Sequence, residues 1–265
     1  MIFILLIILV CSIVVFLVYA SSSIQAGIYV KSICSFAPYQ GNSAKVEEEN
    51  EKCLFLSFDD GPDPVQTPKI LSVLDKHNIK ALFFLIGERI EKEEDTALSI
   101  IRAGHLAGSH SYSHNPYYPI WGYRKIKADL ELGQKRIAEL LHKSGNAQGT
   151  TIASNLFRPP FGVTNPPIAR AIKSLGLQSI GWSIRSFDTK YDLSNRDERQ
   201  KVISRICGSL KPGAIILLHD RLECSHILLE ELICAIEKEG YKINCKPSAE
   251  LKLACRYAEA QRDCK

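Results

Sequence analysis

The sequence lacks several patterns that would have assigned it to familiar classes. Its 33 Lys and Arg against 29 Asp and Glu leave a net charge of only +4, without a basic run that could follow a phosphate backbone. None of its cysteines stands in a C-x-x-C arrangement, and no N-x-S/T acceptor, internal repeat or low-complexity segment is present. Nucleic acid is therefore not an expected partner, and a thiolate zinc site is not expected either.

The N-terminus, in contrast, has a long apolar run. Residues 2–20 carry no charge, and a helix of that length can just cross a bilayer. A cleaved signal peptide is the alternative, because Ala20 and Val18 suit a cleavage site, although a positively charged start is missing. An anchor is slightly favoured. In either case we expect the rest of the chain outside the cytosol, secreted or at the cell surface, with the membrane as a partner if residues 2–20 are retained.

Cysteine usage agrees with that location. Eight cysteines follow the apolar run, enough for four disulfides, and the sequence leaves their pairing open. Unpaired buried thiols remain the alternative. The eight are Cys34, Cys53, Cys207, Cys224, Cys234, Cys245, Cys255 and Cys264.

From residue 53 onward, short apolar runs alternate with longer amphipathic segments, which predicts βαβ units and a parallel sheet. The length suits one main α/β domain, and periodicity leaves a closed barrel and an open doubly wound sheet as alternatives. We expect a tether or N-terminal wrap at 21–50, the domain at 51–250 and a Cys-containing tail at 251–265. The predicted strands are CLFLSF (53–58), ALFFLI (81–86), SNLFR (154–158), LQSIGWSI (177–184), AIILLH (214–219) and YKIN (241–244).

Polar side chains gather at the ends of these strands, where both architectures place active sites. Asp59 and Asp60 end the first strand, and Arg158, Asp188 and His219 fall at or just after later ones. Two adjacent carboxylates are awkward in a strand, because like charges disfavour shared ionisation. An Asx turn would account for one aspartate but not readily for both.

His110 and His114 are four residues apart and would share one face if that turn is helical. Alone, H-x-x-x-H is a weak signal, and two surface histidines would be the ordinary interpretation. With a strand-end carboxylate such as Asp60, two nitrogens and one oxygen would form a three-ligand site of the catalytic zinc type.

The segments SFDDGP, HSYSH, RPPFG and LLH occur in this order. Together they resemble the signature motifs of the NodB-homology polysaccharide deacetylases, carbohydrate esterase family four, from about Cys53 to about Gly240. The resemblance implies a distorted (β/α) barrel of about seven parallel strands. It also implies a divalent metal, with zinc expected and cobalt or another divalent ion as alternatives, and removal of acetyl groups from N-acetylglucosamine polymers such as chitin and peptidoglycan.

The resemblance also divides the labour between the two aspartates. It implies that Asp60 joins His110 and His114 on the metal, while Asp59 acts as the general base. Arg158 would pair with Asp59 and keep it ionised, since an opposite charge lowers the pKa of a carboxyl.

Further roles follow from the same resemblance. The backbone N–H of Phe161, the first free donor after two prolines, would face the developing oxyanion. His219 would be the general acid and Asp188 its hydrogen-bonded partner. Trp182 would cover part of the pocket. Apart from the resemblance, Tyr117 and its aromatic neighbours Tyr118, Trp121 and Tyr123 lie in a Pro-broken loop near the histidines and would either stack on sugar rings or pack the barrel rim.

The fourth motif, WSIRSFDT, departs from the family pattern. Arg185 stands where an acidic residue is usual and Thr189 where a tryptophan is usual. These changes bear on substrate choice and activity. His105, Asp63 and Asp220 have no matching role and are expected to be structural.

The sequence thus predicts a metal-dependent N-deacetylase at the cell wall, acting on chitin or its oligomers and without a known protein partner. Two alternatives remain open: an O-acetyl esterase on another polysaccharide, and a wall-glycan-binding protein with a silent site.

Overall fold

The computed structural model describes residues 2–36, 52–145 and 155–243. Its centre is a sheet in which every named strand pair is parallel, in the order β5-β4-β3-β2-β1-β7-β6, with β8 pairing the start of β1. This confirms the α/β class and the distorted barrel of about seven parallel strands. The strands are β1 Cys53–Asp59, β2 Leu82–Leu85, β3 Leu106–Ser109, β4 Leu156–Phe157, β5 Gln178–Ser179, β6 Ile184–Arg185, β7 Ile215–His219 and β8 Lys242–Ile243.

The predicted strand 177–184 is wrong as a single element. The structure divides it into β5 and β6, which lie at opposite edges of the sheet. Between them the backbone bonds to β4 through the Ile180 N–H and to β7 through the Ser183 N–H, and at the crossing it pairs with the N-terminal segment. Ile33 forms a parallel bridge with Ile180 and accepts a hydrogen bond from the Gly181 N–H at 2.8 Å. The two edges are therefore joined by residues from the N-terminal segment.

Helices connect most of these strands and cover the sheet. They are α1 Ile2–Ser22, α2 Gln66–Lys76, α3 Gly87–Lys92, α4 Glu94–Arg102, α5 Tyr123–Lys143, α6 Pro166–Ser174, α7 Arg196–Cys207 and α8 Ser225–Lys238.

Strand β1 shows how the sheet separates core from site. Leu54, Leu56 and Phe58 belong to the larger apolar core, which also includes buried faces of α2, α7 and α8. The alternate residues Phe55, Ser57 and Asp59 point to the other face because side chains in a strand alternate. The sequence CLFLSFD therefore builds the core on one face and brings a hydroxyl and a carboxylate to the other.

Helix α1 is the one described helix long and apolar enough to cross a membrane. Only Ala20 in it is buried. Its end is attached to the domain, because the Thr164 N–H donates to the Ser21 carbonyl at 2.9 Å. Residues 33–36 continue along the barrel. The proposed division at 1–20, 21–50, 51–250 and 251–265 stays a prediction, since residues 37–51 and 244–265 lie outside the described ranges.

The four expected disulfides are not confirmed. The thiols of Cys34, Cys207, Cys224 and Cys234 are free. Cys245, Cys255 and Cys264 lie outside the described residues, so the pairing of the tail stays open.

Candidate active site

Arg158 and Asp59 form a buried ion pair at the carboxyl end of the sheet. The fully buried guanidinium donates to Asp59 Oδ1 at 2.6 Å and to Ser57 Oγ at 3.0 Å. Its remaining donors reach the carbonyls of Ile180 and Gly181 at 3.1 and 2.8 Å. A guanidinium bonded on all sides can hold a carboxylate in one place. Asp59 thus has one oxygen fixed by Arg158 and the other facing His110, 3.7 Å from its Nε2.

Asp60, His110 and His114 converge beside that pair, and one ligand atom from each lies within 4.8 Å of the others. Asp60 Oδ1 is 3.6 Å from His110 Nε2 and 3.4 Å from His114 Nε2. The Nδ1 of His110 donates to the Arg158 carbonyl at 2.8 Å. With that nitrogen protonated, the Nε2 lone pair is the one turned toward Asp60.

Backbone geometry, not a helix, brings the two imidazoles together. Residues 110–114 are not helical, so the shared helical face on which the spacing argument depended is absent. Ser111 and His114 have φ of 66° and 45°, and Ser111 Oγ accepts from the His114 N–H at 3.0 Å. Asp60 and Phe161 also have positive φ, at 72° and 60°. Such strained residues cluster at functional sites.

The charges of the three residues suit a divalent cation. Burial alone would raise the pKa of Asp60, but the neighbouring imidazoles and Arg221 outweigh it and lower the pKa to about 2. Burial, with help from His110, lowers the pKa of His114 to about 4. At neutral pH the set therefore includes an ionised carboxylate and a neutral His114 imidazole, the forms that bind metal. The residues fit zinc or a similar ion, whose identity stays a prediction.

Arg221 is a site residue that sequence reasoning missed. Its Nε donates to Asp60 Oδ2 at 2.9 Å, on the opposite oxygen from the histidines. It lies two residues after the LLH motif, so position alone could have signalled it. Asp129, also missed, accepts from the backbone N–H groups of Tyr112 and Ser113 and supports the histidine loop.

Asp188 and His219 form the third part of the site. Burial would lower the pKa of His219, but the hydrogen bond and charge of Asp188 raise it to about 9. Asp188 is itself buried and accepts from Ser186 Oγ and the Thr189 N–H. An imidazolium at this position can donate a proton.

A profile of the family described as polysaccharide deacetylase matches residues 46–180, about half of the chain. The chain belongs to the polysaccharide deacetylase family. The match begins before β1 and ends at the crossing from β5 to β6, so it includes Asp59, Asp60, His110, His114 and Arg158.

Several similar proteins are named as peptidoglycan deacetylases. The chain is 28% identical over 203 residues to a peptidoglycan-N-acetylmuramic acid deacetylase of Bacillus subtilis, covering 77% of this chain and 71% of that protein. It is 29% identical to a peptidoglycan-N-acetylglucosamine deacetylase of Bacillus cereus, covering 73% and 85%.

A solved structure of a CE4 family pseudoenzyme from Bacillus anthracis is also similar, with a TM-score of 0.61 and 25% identity. The similarity covers 73% of this chain and 63% of that one, just under two thirds. A mutant of the pseudoenzyme is described as having restored activity. The structures similar to this chain therefore include a pseudoenzyme as well as a mutant with restored activity.

The departures from the deacetylase pattern leave the Asp188–His219 pair intact. Arg185 is exposed, and its guanidinium lies 4.8 Å from the ring centroid of Phe187 and 5.7 Å from that of Trp182. Within the described residues, it makes no ion pair with Asp188. Thr189 is exposed and contributes its backbone N–H to Asp188.

The predicted substrate-binding aromatics differ in exposure. Trp182 is buried and packs against Gly162, where an added Cβ would be 2.4 Å from its ring. Tyr117 is exposed, whereas Tyr118 is buried in the core. Phe161 is 43% exposed, and its ring centroid is 4.6 Å from that of His114. Tyr117 and Phe161 are therefore accessible to a ligand, while Trp182 supports the loop behind the site.

The three residues expected to be structural occupy structural positions. His105 is buried and accepts from the Ala81 N–H, and burial and Lys80 lower its pKa to about 4. Asp63 accepts from the Val65 and Gln66 N–H groups at the start of α2. Asp220 is buried against Gly61 and accepts from Thr67 Oγ1 at 2.6 Å.

Proposed function

We propose that this chain is a metal-dependent hydrolase that removes N-acetyl groups from a cell-wall polysaccharide. The observation that carries the proposal is the meeting of three parts at the strand ends. The Asp60, His110 and His114 cluster adjoins the Asp59–Arg158 pair. The Asp188–His219 pair adjoins them, because His219 lies opposite Asp59 in the parallel pairing of β1 with β7.

The residues of these three parts would have complementary roles in amide hydrolysis. Asp60, His110 and His114 would hold a divalent ion, which supplies Lewis acidity to the acetyl carbonyl and acidity to water. Asp59, held in place by Arg158, would accept a proton from the attacking water. The backbone N–H of Phe161 would donate to the developing oxyanion. His219, kept protonated by Asp188, would give its proton to the leaving nitrogen.

The substrate we propose is an N-acetylated glycan of the peptidoglycan type. Chitin, the substrate expected from the sequence, is not confirmed, and the named activities of the curated relatives are on peptidoglycan. The exposed Tyr117 would stack on a sugar ring.

Acetate release from peptidoglycan fragments, chitin oligomers and acetylated xylan tests the proposal. With zinc added, we expect acetate from peptidoglycan fragments in excess of xylan. Asp59→Asn should abolish release while leaving bound metal unchanged, because Asp59 accepts the proton and does not bind the ion. Asp75→Asn, an exposed aspartate on α2, is the matched control and should retain activity.

Two alternatives correspond to other outcomes of the same assay. Acetate from xylan alone would indicate an O-acetyl esterase. Acetate from no glycan, with glycan binding retained, would indicate a silent binding protein, the case that the pseudoenzyme relative and Arg185 motivate. An active enzyme is favoured over these alternatives, because hydrogen bonds hold the proposed catalytic and metal-binding side chains in the site. These side chains are Asp59, Asp60, His110, Asp188 and His219.

The location we propose is the outer face of the cell envelope. Helix α1 would serve as an anchor or as a signal, and the named relatives act on the wall.

A further inference from the structure

Helix α1 ends beside the loop that follows β4 and carries Phe161. The Ser21 carbonyl is bonded to the Thr164 N–H, three residues after Phe161 and two residues before α6. A cleft between α1 and this loop is lined by Val14, Leu17, Val18, Ser21, Ser22 and Val163. The apolar helix therefore contacts the domain at the carboxyl end of β4, the end of the sheet at which the candidate catalytic residues lie.

Exposed apolar side chains of the domain gather at the same end. Val65 follows β1, Ile120 follows β3, and Ile227 begins the helix after β7, with exposed fractions of 56%, 80% and 36%. Tyr117 and Phe161 belong to the same set of strand-end loops. Outside α1, the large apolar side chains that stand exposed in the described residues are Ile28, Val65, Tyr117, Ile120, Phe161 and Ile227. Ile28 lies shortly after α1.

Aromatic and basic residues flank this apolar rim. Lys125 Nζ lies 3.9 Å from the Trp121 ring centroid, and the Arg170 guanidinium lies 4.2 Å from that of Tyr123. Trp, Tyr, Lys and Arg are the residue types that collect at membrane–water interfaces. An apolar rim bordered by such residues, and continuous with a helix of bilayer-crossing length, matches a surface that rests on lipid.

We propose that the mouth of the active site rests on the bilayer in which α1 is held. The rim, defined as Val65, Ile120 and Ile227, would contact the lipid headgroups and the adjoining acyl region, while Tyr117 and Phe161 stay available to the glycan. If the proposed function also holds, the preferred substrate is the part of an N-acetylated glycan held at the membrane surface, in preference to glycan strands free in solution.

Tryptophan quenching tests the orientation independently of catalysis. The full chain is reconstituted in vesicles of phosphatidylethanolamine and phosphatidylglycerol carrying brominated acyl chains. Ile120→Trp places a reporter on the rim, and Arg102→Trp places one at the exposed end of α4, near the amino end of β3. Relative to the parent chain, we expect about half of the added emission of Ile120→Trp to be quenched, because rim side chains reach the acyl boundary. Arg102→Trp should keep its emission. Equal quenching of the two reporters, or none of either, would overturn the proposal.

A second measurement concerns the substrate. An N-acetylglucosamine oligomer attached to lipid in the same vesicles is compared with the same oligomer in solution. Replacing both rim residues by Val65→Ser and Ile120→Ser should lower kcat/KM about tenfold on the lipid-attached oligomer and leave it unchanged on the free oligomer. Equal losses on both forms would contradict a membrane role. Acetate from neither form would refute the proposed function, while the quenching result would still decide the orientation.

Discussion

Asp188 accepts two hydrogen bonds from His219, one from ring Nδ1 and one from the backbone N–H, each 2.8 Å long. The double contact fixes both the position and the charge of the imidazole. The pKa of His219 is thereby raised to about 9, so the proposed acid is protonated throughout the neutral range.

Asp188→Asn should move the alkaline limb of the pH–rate profile. In the unmodified chain, kcat/KM should fall as the pH rises through about 9, where His219 loses its proton. The amide keeps a hydrogen-bonding group but removes the charge, so the limb should move toward 6.5, the ordinary pKa of histidine. An unchanged limb would show that His219 is not the proton donor.

The Asp188–His219 pair also contributes to the pH dependence of the free energy of unfolding. A histidine with a raised pKa stabilises the fold fully below its unfolded value of about 6.5, and this contribution is lost as the pH rises through about 9. Denaturation of the parent chain between pH 6 and pH 10 should therefore show a larger loss of stability than denaturation of Asp188→Asn.

Arg158→Met should destabilise the fold. It would leave Asp59 buried without its cation, a change that costs about 3–5 kcal/mol in comparable buried pairs. Arg136→Met is the control, because Arg136 bonds Glu139 and Glu91 at a partly exposed position, where a much smaller loss is expected. Chemical denaturation measures both. Similar losses of unfolding free energy in the two variants would contradict the stabilising role of the Arg158–Asp59 pair.

Arg221→Gln should weaken metal binding and leave the fold intact. Arg221 holds Asp60 Oδ2 and leaves Oδ1 directed at the histidines, and losing such support typically costs about 10–100-fold in metal affinity. Competition with a zinc chelator gives the affinity. Arg185→Gln, at an exposed arginine without a carboxylate partner in the described chain, should have no effect. Tighter binding by Arg221→Gln would show that Arg221 competes with the ion.

Asp220→Asn should reduce the loss of stability between acidic and neutral pH. Burial raises the pKa of Asp220 to about 7, so between about pH 4 and 7 the carboxyl ionises in the unfolded state while it stays protonated in the folded state, and this difference progressively lowers the free energy of unfolding. Between pH 5 and pH 8 the parent chain should lose roughly 2 kcal/mol more than the variant. The free energy of unfolding at the two pH values measures this difference. Equal losses would contradict the burial argument.

Much of the fold was predictable because hydrophobic periodicity is local. The amphipathic segment YRKIKADLELGQKRIAELLHK, one of the longer segments that alternate with the apolar runs, forms helix α5 over Tyr123–Lys143. The split of 177–184 was not predictable, because apolar residues continue through the crossing and the change of partner from β4 to β7 depends on strands distant in the sequence. Strand β3 also went unpredicted. Its LAGS sequence is poor in β-branched and aromatic residues, and it is held between β2 and β4.

The candidate site was predictable where residues act as recognisable sets. Asp59, Asp60, His110 and His114 were selected by residue type and motif, and the structure brings them together. The way they meet was not predictable, because positive φ at Ser111 and His114 replaces the helical turn. Arg221 was missed because an arginine belongs to no metal-ligand pattern, and its position two residues after the LLH motif was the one available signal.

Metal content tests the central claim most directly. After loading with zinc and removal of excess ion, elemental analysis should find about one equivalent in the parent chain. His142→Ala, an exposed histidine on α5, should retain it, and His110→Ala should lose both the ion and acetate release. Full metal content in His110→Ala, or no retained metal in the parent chain, would contradict the account.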